Sequence, residues 1–91
     1  MAVTVVTGAG SGIGRATALR FARNGSDVVV ADINEQTGRE TVELIENSGG
    51  SAAFRRLDVA DLDDWEDFTA WVCVEHGVTD VVVNNAGITR D

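Results

Sequence analysis

The run AVTVVTGAGSGIG, residues 2–14, sets an apolar, β-branched stretch directly before four glycines, Gly8, Gly10, Gly12 and Gly14. Val3–Thr7 (VTVVT) has the composition of a short strand. Beyond the glycines the periodicity becomes helical. At about 100° per residue, Gly14, Thr17, Ala18, Phe21 and Ala22 share one face, and Arg15, Arg20 and Arg23 fall on the other. A helix is therefore predicted over residues 13–24, stopped by Gly25. A glycine loop feeding a helix N-terminus presents backbone N–H groups and a positive dipole end, which suits a phosphate or pyrophosphate. The plainer alternative is a tight turn whose glycines supply positive φ.

Outward from that stretch the pattern repeats. DVVVA (27–31), AAFRRL (52–57) and DVVV (80–83) read as further strands. The second and fourth strands are continuously apolar, as parallel strands buried on both faces are. A second helix starts from Asn34 as N-cap and ends before Gly49-Gly50, with Gly38, Thr41, Val42 and Ile45 on one face. Glu35 and Arg39 are spaced for an i,i+4 ion pair on its outside. A third helix follows Asp61 as N-cap and stops at Gly77. Its inner stripe is predicted as Leu62, Trp65, Phe68, Thr69 and Val72, leaving Trp71 and Val74 outside it. The order β-α-β-α-β-α-β with right-handed crossovers predicts one α/β unit over residues 1–91, a doubly wound parallel sheet of four strands.

Composition narrows the partners. The 91 residues carry 15 acids and 7 bases, all arginines, for a net charge of −8. That field repels nucleic-acid phosphates and anionic membranes, so neither is expected as a partner. Cys73 and His76 are the only cysteine and histidine, so neither a disulfide nor a metal site is expected, and a reducing cytoplasm is. His76, at the end of the third helix, is in a common structural place for histidine. No run reaches membrane-spanning length, and the N-terminus lacks the basic region of a signal peptide.

The nucleoside-triphosphate loop needs a lysine after its last glycine, and the chain has no lysine. What is present is T-G-x-x-x-G-x-G, on Gly8, Gly12 and Gly14. Asp32 ends the second strand, Asp58-Val59 ends the third, and NNAG (84–87) ends the fourth. Together these resemble the short-chain dehydrogenase/reductase family along the whole chain, which implies a Rossmann-type fold and a nicotinamide dinucleotide as ligand. The resemblance puts the pyrophosphate on Gly8, Ser11, Gly12, Ile13 and Gly14. It puts the adenosine ribose at Asp32 and Ile33, adenine at Asp58 and Val59, and the cofactor's ribose along Asn85, Ala86 and Gly87, with Asn84 bracing the strand ends. A carboxylate at position 32 can accept from ribose hydroxyls and repels a 2′-phosphate, and Ser11 stands where many NADP-using relatives carry a base. NAD is therefore the expected cofactor. Ordinary turn roles for Asp32 and Asp58 are the alternatives.

The tail NNAGITRD resembles the β-ketoacyl carrier-protein reductases and acetoacetyl-CoA reductases of this family, which implies carbonyl–alcohol interconversion, with a 3-oxoacyl group as one candidate substrate. Family members react through a Tyr-x-x-x-Lys pair beyond the fourth strand, whereas this chain has neither residue type. The chain is accordingly expected to be the cofactor-binding half, cut before the catalytic segment, with no catalytic residue of its own and no turnover alone. As an isolated piece it is expected to be marginally stable and to self-associate through its fourth strand. The complete protein is expected to be a homo-oligomer. Two alternatives remain at this point: an S-adenosylmethionine methyltransferase fragment, whose G-x-G-x-G is also met by GAGSG, and a non-catalytic dinucleotide-binding protein.

Overall fold

A strand as branched and apolar as Val3–Thr7 can bury both faces only in the middle of a sheet. In the computed structural model, which describes residues 2–77 and 81–84, all five of its residues are buried. The elements run β1 (Val3–Thr7), α1 (Gly12–Arg23), β2 (Asp27–Asp32), α2 (Glu35–Asn47), β3 (Ser51–Arg56), α3 (Leu62–His76) and β4 (Val81–Asn84). Every pairing is parallel, and the strand order is β3-β2-β1-β4. The chain thus builds outward from β1 to β3, then crosses back to lay β4 on the other side of β1. That reversal puts the topological switch point between β1 and β4, where the carboxyl ends of parallel strands open a crevice.

Alternation along the strands divides the core in two. Val6, Val28 and Val30 pack with Ala18 of α1 and Ile45 of α2, while Val3, Val5, Val29 and Ala31 pack with Leu57 and with Phe68 and Val72 of α3. Among the described residues, α1 and α2 cover one face and α3 covers the other. Close approach of α2 to the sheet depends on Gly38: a methyl there would overlap the Phe54 ring of β3. The Arg39 guanidinium lies 5.2 Å from the centroid of that ring, and its Nε is 2.9 Å from Glu35, so the anticipated ion pair forms. Among the described residues β4 is an edge strand.

Three details depart from the sequence-based expectation. Element ends move by one residue: α1 spans Gly12–Arg23, β2 takes in Asp32, and β3 and β4 shift by one. Arg15 is not on a free solvent face, because its guanidinium bonds to Thr41, to the Thr37 carbonyl and to Glu40, bridging α1 to α2. The stripe of α3 is also rotated. Leu62 is 72% exposed and Thr69 is exposed, whereas Trp71 packs on the core. Measured from the axis between the buried Phe68 and Val72, Leu62 lies about 100° round the helix, and Thr69 and Trp71 each about 80° on opposite flanks. At that angle an indole is long enough to reach the sheet and a threonine is not. Trp71 is further held between the Arg55 guanidinium, 5.0 Å from its centroid, and the His76 ring at 5.2 Å.

Candidate functional site: a glycine loop at the switch point

The loop between β1 and α1 reverses direction at two glycines in left-handed conformation, Gly8 (φ 65) and Gly12 (φ 58), where any side chain would be strained. Between them the backbone is tied down. The Ala9 N–H donates to the Ala31 carbonyl at 3.2 Å, and the Ala9 carbonyl accepts from the Thr41 hydroxyl at 2.8 Å. The Gly10 N–H donates to Asp32 Oδ2 at 2.8 Å. A Cβ on Gly10 would come within 2.5 Å of Thr37 Oγ1 and 2.8 Å of Asp32 Oδ2, so the bare backbone there lets the loop close onto β2 and α2.

Past the tether the amides are open. Ser11, the N-cap of α1, makes no side-chain cap bond, and the first turn holds no acid. By helix geometry the amides of residues 11–14 lack intrahelical partners, and they meet no acceptor among the described residues. The other two helices are finished differently: Asn34 caps the Thr37 N–H and Asp61 caps the Asp64 N–H, each with acid in the first turn. Among the described residues only α1 presents an uncapped positive end, and it does so at the crevice. Accordingly, Ser11→Ala should change stability by less than about 0.5 kcal/mol, whereas Asn34→Ala should lose about 1 kcal/mol. Paired urea titrations of the two variants measure the contrast.

Register brings the remaining sequence-predicted residues to the same end of the sheet. Thr7 lies level with Ala31 and Asn84, and Asp32 with Arg56. Asp32 is half-buried and held from two sides, with Oδ2 on Gly10 and Oδ1 accepting the Asn34 N–H at 2.9 Å. A carboxylate has about four lone-pair sites, so these two bonds leave acceptor capacity while fixing the group's orientation. Ile13 and Ile33 are exposed beside the loop, at 72% and 54%. Asp58 Oδ1 accepts the Ala60 N–H at 3.0 Å, as a turn residue does, and the Asp58 N–H donates to Asp64. Val59 is half-buried against the α3-side core, and its carbonyl takes the Trp65 indole N–H at 2.9 Å. Asn85, Ala86 and Gly87 lie outside the described residues.

Four residues here are not legible in the sequence: Gly10, which the motif spacing skips, Thr41, which bonds to the loop at Ala9, and Thr37 and Arg15, which bond to Thr41. The one available signal was a threonine, Thr41, on the otherwise apolar or small inward face of α2. No arginine within the described residues is directed at the loop, since Arg15 is spent on α2. The positive end there is therefore one of backbone dipoles. Among the described residues no cluster of His, Cys, Asp and Glu could hold a metal ion, and no helix is long and apolar enough to cross a membrane. A cavity of about 330 Å³ opens at the opposite end of the sheet, between the C-terminal ends of α1 and α2, away from every residue above.

Comparison with known proteins agrees with this geometry. Residues 2–91 match the family profile described as short chain dehydrogenase. The chain is 55% identical over 83 residues to the probable oxidoreductase EphD of Mycobacterium tuberculosis, covering 91% of this chain and 14% of that protein. It is 42% identical over 89 residues to the 3-oxoacyl-(acyl-carrier-protein) reductase FabG of Thermotoga maritima, covering 98% of this chain and 36% of that one. A metagenomic short-chain oxidoreductase solved in complex with NADP superposes with a TM-score of 0.87 at 33% identity, covering 89% of this chain and 37% of that one. The chain thus spans between about a seventh and just over a third of the length of these relatives.

Proposed function

Because the chain belongs to the short-chain dehydrogenase family, we propose that it is the dinucleotide-holding unit of an oxidoreductase that interconverts a carbonyl and an alcohol, and that it prefers NAD(H) to NADP(H). The observation that carries this is the uncapped first turn of α1 facing the crevice, with the Asp32 carboxylate fixed beside it by Gly10 and Asn34. The residues fit such a group: beyond its chain neighbours and its own helix backbone, a Cβ added at Gly12 meets no atom within 4 Å, so the turn is open on that side. The dinucleotide, when bound, supplies the hydride acceptor or donor.

The chain's own contributions are to bind and to orient. Amides of residues 11–14 hold the pyrophosphate, with Gly8 giving the loop its turn and the exposed side chain of Ile13 flanking it. Asp32 accepts from the adenosine ribose and disfavours a 2′-phosphate, with Ile33 against the same edge. Asp58 and Val59 border the adenine, and the backbone of Asn85, Ala86 and Gly87 lines the cofactor's ribose. The chain holds no tyrosine and no lysine, so the proton-transfer groups of the reaction come from outside these 91 residues, and the chain alone should show no turnover. The ITRD tail and the likeness to a 3-oxoacyl reductase favour a 3-oxoacyl substrate. A cytoplasmic, homo-oligomeric oxidoreductase completes the proposal.

The methyltransferase alternative falls with the family assignment. The non-catalytic alternative is tested by supplying a Tyr-x-x-x-Lys-containing partner fragment and assaying turnover. Calorimetric titration of the chain with NAD, NADP and S-adenosylmethionine tests the cofactor reading. NAD should bind at least about tenfold more tightly than NADP, from the charge repulsion at Asp32, and S-adenosylmethionine should give no heat. Equal affinity for the two dinucleotides would refute the preference, and no binding of either would refute the site.

A further inference from the structure

We propose that Thr41, with Arg15 orienting it, is a positioning residue that presets the glycine loop for its ligand; this rests on the cofactor reading above. The Ala9 carbonyl and the Gly10 N–H belong to one peptide unit. That unit is pinned at both ends, by the Thr41 hydroxyl of α2 on the carbonyl at 2.8 Å and by Asp32 Oδ2 of β2 on the N–H at 2.8 Å. Ala9 and Thr41 are both fully buried, so water cannot stand in for either partner. With the plane of this peptide fixed, the orientation of the amides that follow it into α1 is fixed too.

Arg15 decides where the Thr41 proton goes. A threonine hydroxyl has one proton and two acceptor sites, and here two carbonyls compete for that proton: Ala9 at 2.8 Å and Thr37, one turn back in α2, at 3.3 Å. Arginine is donor-only. Its Nη2 already supplies the Thr37 carbonyl at 3.1 Å, and its Nε donates to Thr41 Oγ1 at 2.9 Å. Both contacts push the Thr41 proton toward Ala9. Without Arg15 the hydroxyl is free to back-bond within its own helix, as threonines in helices commonly do. Glu40, 3.3 Å from Nη2, holds the guanidinium in place. Neither Thr41 nor Arg15 reaches the crevice by any contact seen here; both act through the Ala9–Gly10 peptide.

The test is the affinity of the full 91-residue chain for NAD and for adenosine, which lacks the pyrophosphate. Thr41→Val removes the hydroxyl at nearly constant shape and leaves a buried carbonyl without a donor. NAD affinity should fall about tenfold. Adenosine affinity should stay constant, because Asp32 keeps its second anchor on Asn34. Thr41→Ser should restore NAD affinity. Arg15→Met keeps the aliphatic stem and should weaken NAD about threefold, again sparing adenosine. If Thr41→Val does not fold, Arg15→Met beside Thr41→Ser decides the matter. Unchanged NAD affinity in the folded variants, or equal loss of NAD and adenosine, overturns the proposal while the cofactor reading stands. Absence of NAD binding by the wild-type chain overturns both.

Discussion

In Asp32→Ala the ratio of NADP to NAD affinity should rise more than tenfold, while the affinity for NAD itself falls. Two unit charges about 4 Å apart at an effective dielectric near 20 repel by about 4 kcal/mol, and water and salt reduce this by roughly half. Even the reduced figure exceeds the 1.4 kcal/mol that corresponds to a factor of about ten. The loss of NAD affinity has a separate cause. Asp32 is the acceptor for the Gly10 and Asn34 amides, so its removal loosens the loop together with the ribose contact. The two effects separate with ionic strength. In the wild type the NAD preference should narrow as salt is raised, because screening weakens the repulsion. In Asp32→Ala the ratio should be nearly indifferent to salt. A preference unmoved by the substitution would remove Asp32 from the selection of cofactor.

Gly12→Ala should nearly abolish dinucleotide binding while costing little stability. The residue sits at φ 58, and beyond its chain neighbours and its own helix backbone its Cβ would meet no atom within 4 Å. The fold therefore suffers only backbone strain of about 1 kcal/mol, a fall in Tm of about 4–8 °C for a domain of this size. The ligand suffers more, because the methyl projects into the open space beside the amides. Losing two hydrogen bonds to an anionic group costs about 3 kcal/mol, or about a hundredfold in affinity. Gly49 is a matched control, at φ 91 with equally open space around its Cβ and a position beyond the C-terminus of α2. Gly49→Ala should lower Tm by a similar amount and leave NAD affinity unchanged. Parallel thermal melts and NAD titrations of the two variants give the comparison. A Gly12→Ala chain that binds NAD normally would show that the crevice lies elsewhere.

These two substitutions probe parts of the site that differ in how they were found. Gly12 was legible because its role is local. A left-handed turn ahead of an uncapped helix is written in a few adjacent residues, and so are the caps at Asn34 and Asp61 and the stops at Gly25 and Gly77, all of which the structure reproduces. Asp32 was legible as the acid that ends β2. Its second role, as the acceptor that ties Gly10 down, was not.

What the sequence by itself determined, then, was whatever depends on neighbours along the chain: four strands, three of them β-branched, three helices with their ends, the alternation of strand with helix that makes the sheet parallel, and the glycine turn ahead of α1. Only the tertiary structure decided which residues hold that turn in place. Thr41 reaches Ala9 across 32 positions, and Arg15 reaches Thr41 across 26. It also decided how far each helix rolls on the sheet, half-burying Trp71 and exposing Leu62. Periodicity orders residues around a helix's own axis but carries no reference direction toward the sheet. That direction comes from packing, where side-chain length, the bare surface at Gly38 and the pairing of buried polar groups settle the roll together.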